Sequence, residues 1–155
     1  MKLIALMTLF STMVHANTIT IKSNDLNEKM ASIPQELAAT FFYQGFKQTE
    51  LEKNIFQIEV KNLECKLNSM NFYYPDDSRA GLPMVECFVG GKKIQEARYL
   101  TNLLSTIESQ TKNFYIFDCA MGGRCILNLK SIKCISDLNQ EEMFNAYSCE
   151  LTSEE

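Results

Sequence analysis

Two stretches of the chain carry apolar residues at helical spacing. In the later one, Ile94, Ala97, Leu100, Leu103, Leu104 and Ile107 recur at i, i+3, i+4 and i+7, while Arg98, Thr101, Asn102, Ser105 and Glu108 take the other side. That pattern predicts an amphipathic helix lying on a sheet. In the earlier one, Ser32 followed by Pro34 and Gln35 gives a capping-box signal, and Leu37, Ala38, Phe41 and Phe42 continue toward Gly45. A helix over about 33–44 follows, or one turn more if Gly45 is internal. The aromatic cluster Phe41, Phe42, Tyr43 and Phe46 reads as core in preference to a ligand-gripping surface.

Elsewhere the period is two. Thr18 to Lys22 alternates as a short edge strand with Ile19 and Ile21 on one face. Further strands are expected over 55–67, 84–90, 113–120, 124–135 and 145–151, rich in Ile, Val, Phe and Tyr and separated by Gly90-Gly91, Gly122-Gly123 and polar turns. Asn139 with Glu142 predicts a capped turn of helix before the last strand.

The pattern also repeats. Ile58-Glu-Val-Lys-Asn-Leu-Glu-Cys65 aligns without gaps on Leu127-Asn-Leu-Lys-Ser-Ile-Lys-Cys134. Both octets are apolar at the first, third and sixth positions, with lysine fourth and cysteine eighth. The step from third to sixth reverses the parity of a strand, so each copy needs a bulge or a bend. Each is followed by a loop and a second cysteine strand, Met84 to Cys87 in one half and Ala146 to Cys149 in the other.

The six cysteines, at 65, 87, 119, 125, 134 and 149, are spaced by 22, 32, 6, 9 and 15 residues and contain no Cys-x-x-Cys pair. Zinc and thioredoxin-like chemistry therefore lose to three disulfides. The repeat pairs Cys65 with Cys87 and Cys134 with Cys149, leaving Cys119 with Cys125 across Met121-Gly122-Gly123.

The expected class is α+β: a disulfide-braced antiparallel sheet with two main helices packed on one face, built from two weakly repeated helix-plus-strands units over 33–91 and 95–151. Such tandem units are similar in general architecture to cystatin-like and β-lactamase-inhibitor-like modules. The Gln-x-Val-x-Gly loop of cystatins does not occur in this sequence, and no functional residue is carried over.

Composition bears on where the chain works. Lys2, the apolar run Leu3 to Val14 and the Val14-His15-Ala16 site read as a signal peptide over 1–16, leaving 17–155 as a single secreted or periplasmic domain. Twelve apolar-to-small residues cannot span about 30 Å of hydrocarbon as a helix, so membrane insertion is not expected. The formal charge is −4, and −5 without Lys2, with no basic run longer than Lys92-Lys93. Nucleic acid and anionic membrane are poor partners for such a surface. The sole histidine, His15, lies in the leader, and there is no tryptophan. From Asn17 onward, Ser-His-Asp and Cys-His catalysis and His-ligated metal are excluded.

One segment invites a functional reading. The loop from Asn68 to Pro83 lengthens the first repeat and contains Phe72, Tyr73, Tyr74 and Arg79, residue types that dominate binding hot spots. A bridge at its base limits the ordering cost of binding; the competing reading folds its aromatics back on the sheet. Asp76-Asp77-Ser78 starts a turn after Pro75 and is weak as a calcium loop. Glu59, Glu64, Glu86 and Asp118 fall on expected strands and read as solvated faces. Gly90-Gly91-Lys92-Lys93 is a hairpin turn lacking the rest of a phosphate loop.

The expectation is an exported, non-enzymatic binding protein, inhibitor-like in design, that needs no cofactor or metal and presents the aromatic loop to a protein partner. The alternatives are a structural or accessory envelope or extracellular component using a sheet edge, and a carboxylate-dependent hydrolase.

Overall fold

The computed structural model describes residues 17–23, 28–68, 84–120, 124–139 and 142–153. Its elements are β1 (Asn17–Lys22), α1 (Glu28–Ala31), α2 (Ile33–Tyr43), β2 (Gln48–Glu52), β3 (Ile55–Lys61), β4 (Leu63–Asn68), β5 (Met84–Val89), β6 (Lys92–Lys93), α3 (Ala97–Gln110), β7 (Phe117–Ala120), β8 (Arg124–Leu127), β9 (Leu129–Asn139) and β10 (Glu142–Ser153). The strands form two five-stranded sheets, ordered β1-β10-β9-β3-β2 and β6-β5-β4-β8-β7. Every described pairing is antiparallel. The class is α+β and mostly sheet, with two sheets where one was expected.

The reason for the second sheet lies in the octets. In the first, Asn62 takes a left-handed φ of 56°. Asparagine tolerates this conformation better than other side-chained residues. Val60 and Leu63 are both buried across it, and the chain leaves one sheet as β3 to enter the other as β4. In the second octet, Leu129 faces Ser153 while Ser131 faces Thr152, so Lys130 is the extra residue of a bulge and Leu129 and Ile132 are both buried. The two octets run antiparallel to each other: Ile58 is opposite Cys134 and Lys61 opposite Ser131 in one sheet, and the register resumes with Lys66 opposite Ile126 in the other.

The bridges join the expected partners: Cys65 to Cys87 between β4 and β5, Cys134 to Cys149 between β9 and β10, and Cys119 to Cys125 between β7 and β8. In each case the two residues face each other directly in the ladder. The first two are fully buried, whereas Cys119 is exposed.

α2 lies against β10, β9, β3 and β1, and α3 against β5, α2 and α1. Leu37, Ala38 and Phe41 of α2 join Leu100, Leu104 and Ile107 of α3 and Ile21, Ile58, Ile132 and Leu151 of the first sheet in one core. α2 ends at Tyr43 because Gly45, at φ 77°, closes it: its N–H donates to the Phe42 carbonyl at 2.8 Å, and Phe46 N–H donates to the Phe41 carbonyl at 3.1 Å. Phe46 then packs edge-on against Phe41, with centroids 5.6 Å apart.

Several local expectations are corrected. Ser32 is helical and makes no side-chain cap, because α1 runs into α2 there. Thr101 is buried, its hydroxyl satisfied by the Arg98 carbonyl at 2.9 Å. The strand expected from 113 starts at Phe117, opposite Leu127; just before it Glu108 Oε1 accepts the N–H groups of Ile116 and Phe117 at 2.9 and 3.2 Å, so a side chain takes the Ile116 N–H where the ladder would otherwise extend. Asn139 and Glu142 pair as ends of β9 and β10 and not as a helical turn, since the strands locked by Cys134–Cys149 continue outward.

Candidate functional site

Phe72, Tyr73, Tyr74 and Arg79 lie outside the described residues, as do Asp76-Asp77-Ser78 and Met121-Gly122-Gly123. What the structure places is the base from which these segments leave. Asn68, the last residue of β4, is opposite Met84 on one side and Arg124 on the other, and Arg124 is opposite Ala120. The 69–83 and 121–123 segments thus depart from the same end of the second sheet, and a disulfide crosses the strands beneath each. Backbone spacing across such strands is about 5 Å, so the two departures are neighbours.

Two residues back from that end, Asp118, Ile126, Lys66 and Glu86 form one row across the four strands. All four are exposed, Ile126 to 57%. Directly opposed side chains share a face, so an apolar residue stands among alternating charges on the outer surface beneath the loop bases. Lys93 Nζ donates to Glu86 Oε1 at 2.8 Å. That hydrogen bond and the Lys93 charge, with help from Lys66 and against a small desolvation effect, hold the Glu86 carboxyl below its usual range. Glu59, Glu64 and Asp118 are exposed strand residues as well.

A second feature was not legible in the sequence. α2 and the entry to α3 enclose a cleft of 480 Å³ lined by Glu36, Tyr43, Gln44, Gln95, Glu96 and Tyr99 among others. Tyr43, expected in the core, is 72% exposed here, while Phe41 is buried; neighbouring positions on a helix point about 100° apart, so adjacent aromatics cannot all face inward. The Gln44 side chain grips Gln95, donating to its carbonyl at 3.0 Å and accepting from its N–H at 2.9 Å. Glu96 precedes the helix in a left-handed conformation, φ 55°. Tyr99 donates from its hydroxyl to Glu36 Oε2 at 2.5 Å. This bond chiefly, then burial and the charges of Glu36 and Glu96, pushes the Tyr99 phenol up to about 12. Both carboxylates therefore bear on one hydroxyl. The only hint in sequence is the stripe Glu36, Thr40, Tyr43 at i, i+4, i+7 on the polar side of α2.

Among the described residues, no helix is long and apolar enough to cross a membrane. No protein-family model, curated protein or solved structure matches the chain.

Proposed function

We propose that the chain from Asn17 onward is an exported, non-enzymatic binding protein, inhibitor-like in design, that engages a protein partner through the loop-bearing end of its second sheet. The single observation that carries this reading is the common base of the 69–83 and 121–123 segments, with a cross-strand disulfide below each. Covalent bracing directly below a recognition segment reduces the conformational freedom lost on binding. The segment itself supplies Phe72, Tyr73, Tyr74 and Arg79, large amphipathic groups of the kind that anchor interfaces. The signal-peptide pattern over 1–16 and the three disulfides agree with export into an oxidising compartment.

The finer architecture belongs to the same proposal. Two helix-plus-strands units, 33–91 and 95–151, are related by an approximate two-fold axis between the octets. In support, exchanging β3 with β8, β4 with β9 and β5 with β10 turns one sheet's order into the other's, with β1 and β6 as corresponding edges. It also exchanges the Cys65–Cys87 bridge with Cys134–Cys149. Each unit lends its first hairpin to one sheet and its cysteine hairpin to the other, and the helices cover the shared core.

The test is affinity of the quadruple Phe72→Ala, Tyr73→Ala, Tyr74→Ala, Arg79→Ala variant for a partner recovered with the native chain. Loss of two or more hot-spot residues weakens binding by about a hundredfold or more. Unchanged affinity removes the loop from the interface.

A further inference from the structure

We propose that the cleft between α2 and the start of α3 is a recognition site for a guanidinium group, carried by an arginine side chain of a polypeptide ligand. It goes beyond the loop reading and draws on other residues. β5 receives the 69–83 segment at Met84, whereas the cleft follows its other end, past Gly90-Gly91 and β6.

Three properties of the cleft carry the assignment. The first is charge: Glu36 and Glu96 line it, and among the described residues no lysine or arginine does. Lys92, outside the lining, donates to the Gln44 carbonyl at 2.6 Å and sits 5.1 Å from the Phe46 ring centroid. The second is aromatic surface. Tyr43 and Tyr99 line the same space and remain 72% and 43% exposed. A planar, weakly hydrated guanidinium stacks on such rings and pairs with carboxylates at once, which a compact ammonium does less well.

The third is that the walls are set before any ligand arrives. Gln44 clamps Gln95 by two hydrogen bonds, and Tyr99 ties α3 to Glu36 of α2. Glu96 is held in a left-handed backbone conformation that a residue with a side chain adopts only at a cost. The 480 Å³ volume is in the range that accepts one long side chain with its flanking backbone.

The test is an amide-shift titration by NMR of the disulfide-intact chain from Asn17, using N-acetyl-arginine amide, its uncharged citrulline counterpart, N-acetyl-lysine amide and a blocked Gly-Arg-Gly peptide. Saturable shifts centred on residues 35–44 and 95–99 are expected with the arginine probe, weaker with lysine and absent with citrulline. The Glu36→Gln, Glu96→Gln double variant weakens arginine binding about tenfold, the compounded loss of two exposed ion pairs. Tyr43→Ala, an exposed position, provides a second variant that preserves the fold.

Tighter binding of the peptide than of the free probe supports a polypeptide ligand. Equal binding keeps the guanidinium site but overturns the polypeptide source in favour of a free guanidino compound. Equal shifts from citrulline, or no saturable shift at these residues at millimolar probe, overturn the site. Replacing 69–83 by a Gly-Ser turn leaves the titration unchanged, so its failure and that of the loop reading are told apart.

Discussion

Removing the three disulfides one pair at a time, by double substitution to alanine, separates the entropy of cross-linking from the packing of sulfur. The paired cysteines are 22, 15 and 6 positions apart in sequence. In the chain-entropy treatment they contribute about 3.4, 3.0 and 2.2 kcal/mol respectively at 25 °C. Packing widens the gap. Cys65, Cys87, Cys134 and Cys149 are 0–1% exposed, so alanine leaves a buried void at each. A void the size of a methyl group costs about 1 kcal/mol. Cys119 is exposed and adds little of this kind. The expected losses are therefore about 5 kcal/mol for either buried bridge and about 2 kcal/mol for Cys119–Cys125. Against a typical domain stability of about 5–15 kcal/mol, either buried bridge decides whether the chain folds at 37 °C. Urea unfolding followed by far-UV circular dichroism measures this. The comparison uses extrapolated free energies, because removing a cross-link expands the unfolded state and changes the slope. If the Cys119–Cys125 variant lost as much stability as the Cys134–Cys149 variant, both the burial argument and the loop-length argument would be refuted.

Other outcomes follow from single residues. Gly45→Ala costs about 1 kcal/mol in thermal or urea unfolding, all of it backbone strain at φ 77°, since an added Cβ meets nothing within 4 Å. Asn62→Val costs about 1–2 kcal/mol and Asn62→Gly is close to neutral, because the corner between the sheets needs φ 56°. In alkaline absorbance titration one tyrosine ionises near pH 12, and Glu36→Gln returns it toward the ordinary value of about 10, because the Glu36 hydrogen bond is the main cause of its rise. The folded phenol holds its proton more tightly than the unfolded one. The associated stabilisation is accordingly complete below about pH 10 and is lost as the pH rises toward 12.

The sequence exposes those features whose physics is local. The bridges were legible because the octets set each cysteine beside its partner strand, and the helix over 97–110 because its apolar spacing extends over several turns. The parity change in the octets required a bulge or a bend, and both occur: a bulge at Lys130 and a left-handed corner at Asn62. That the corner divides the strands between two sheets depends on what pairs on either side, which no octet contains. β2 escaped notice because Gln48-Thr-Glu-Leu-Glu52 is an edge strand with mostly exposed side chains and no alternation to read. Ser32 looked like a cap until α1 occupied the turn before it. The cleft is the clearest case of information that sequence order conceals. Glu36 and Tyr99 are 63 positions apart, each sits among the polar positions of its own helix, and only the packing of α2 on α3 brings hydroxyl to carboxylate.

The measurement that bears most directly on the binding proposal is affinity capture from the secreted and envelope proteins of the source. The disulfide-intact chain from Asn17 serves as bait beside a form in which 69–83 is replaced by a short Gly-Ser turn, with the three bridges confirmed in both by non-reducing peptide mapping. The account predicts a partner retained by the native bait in stoichiometric amount and lost with the loop. Recovery of the same partner in equal amount by both baits contradicts it.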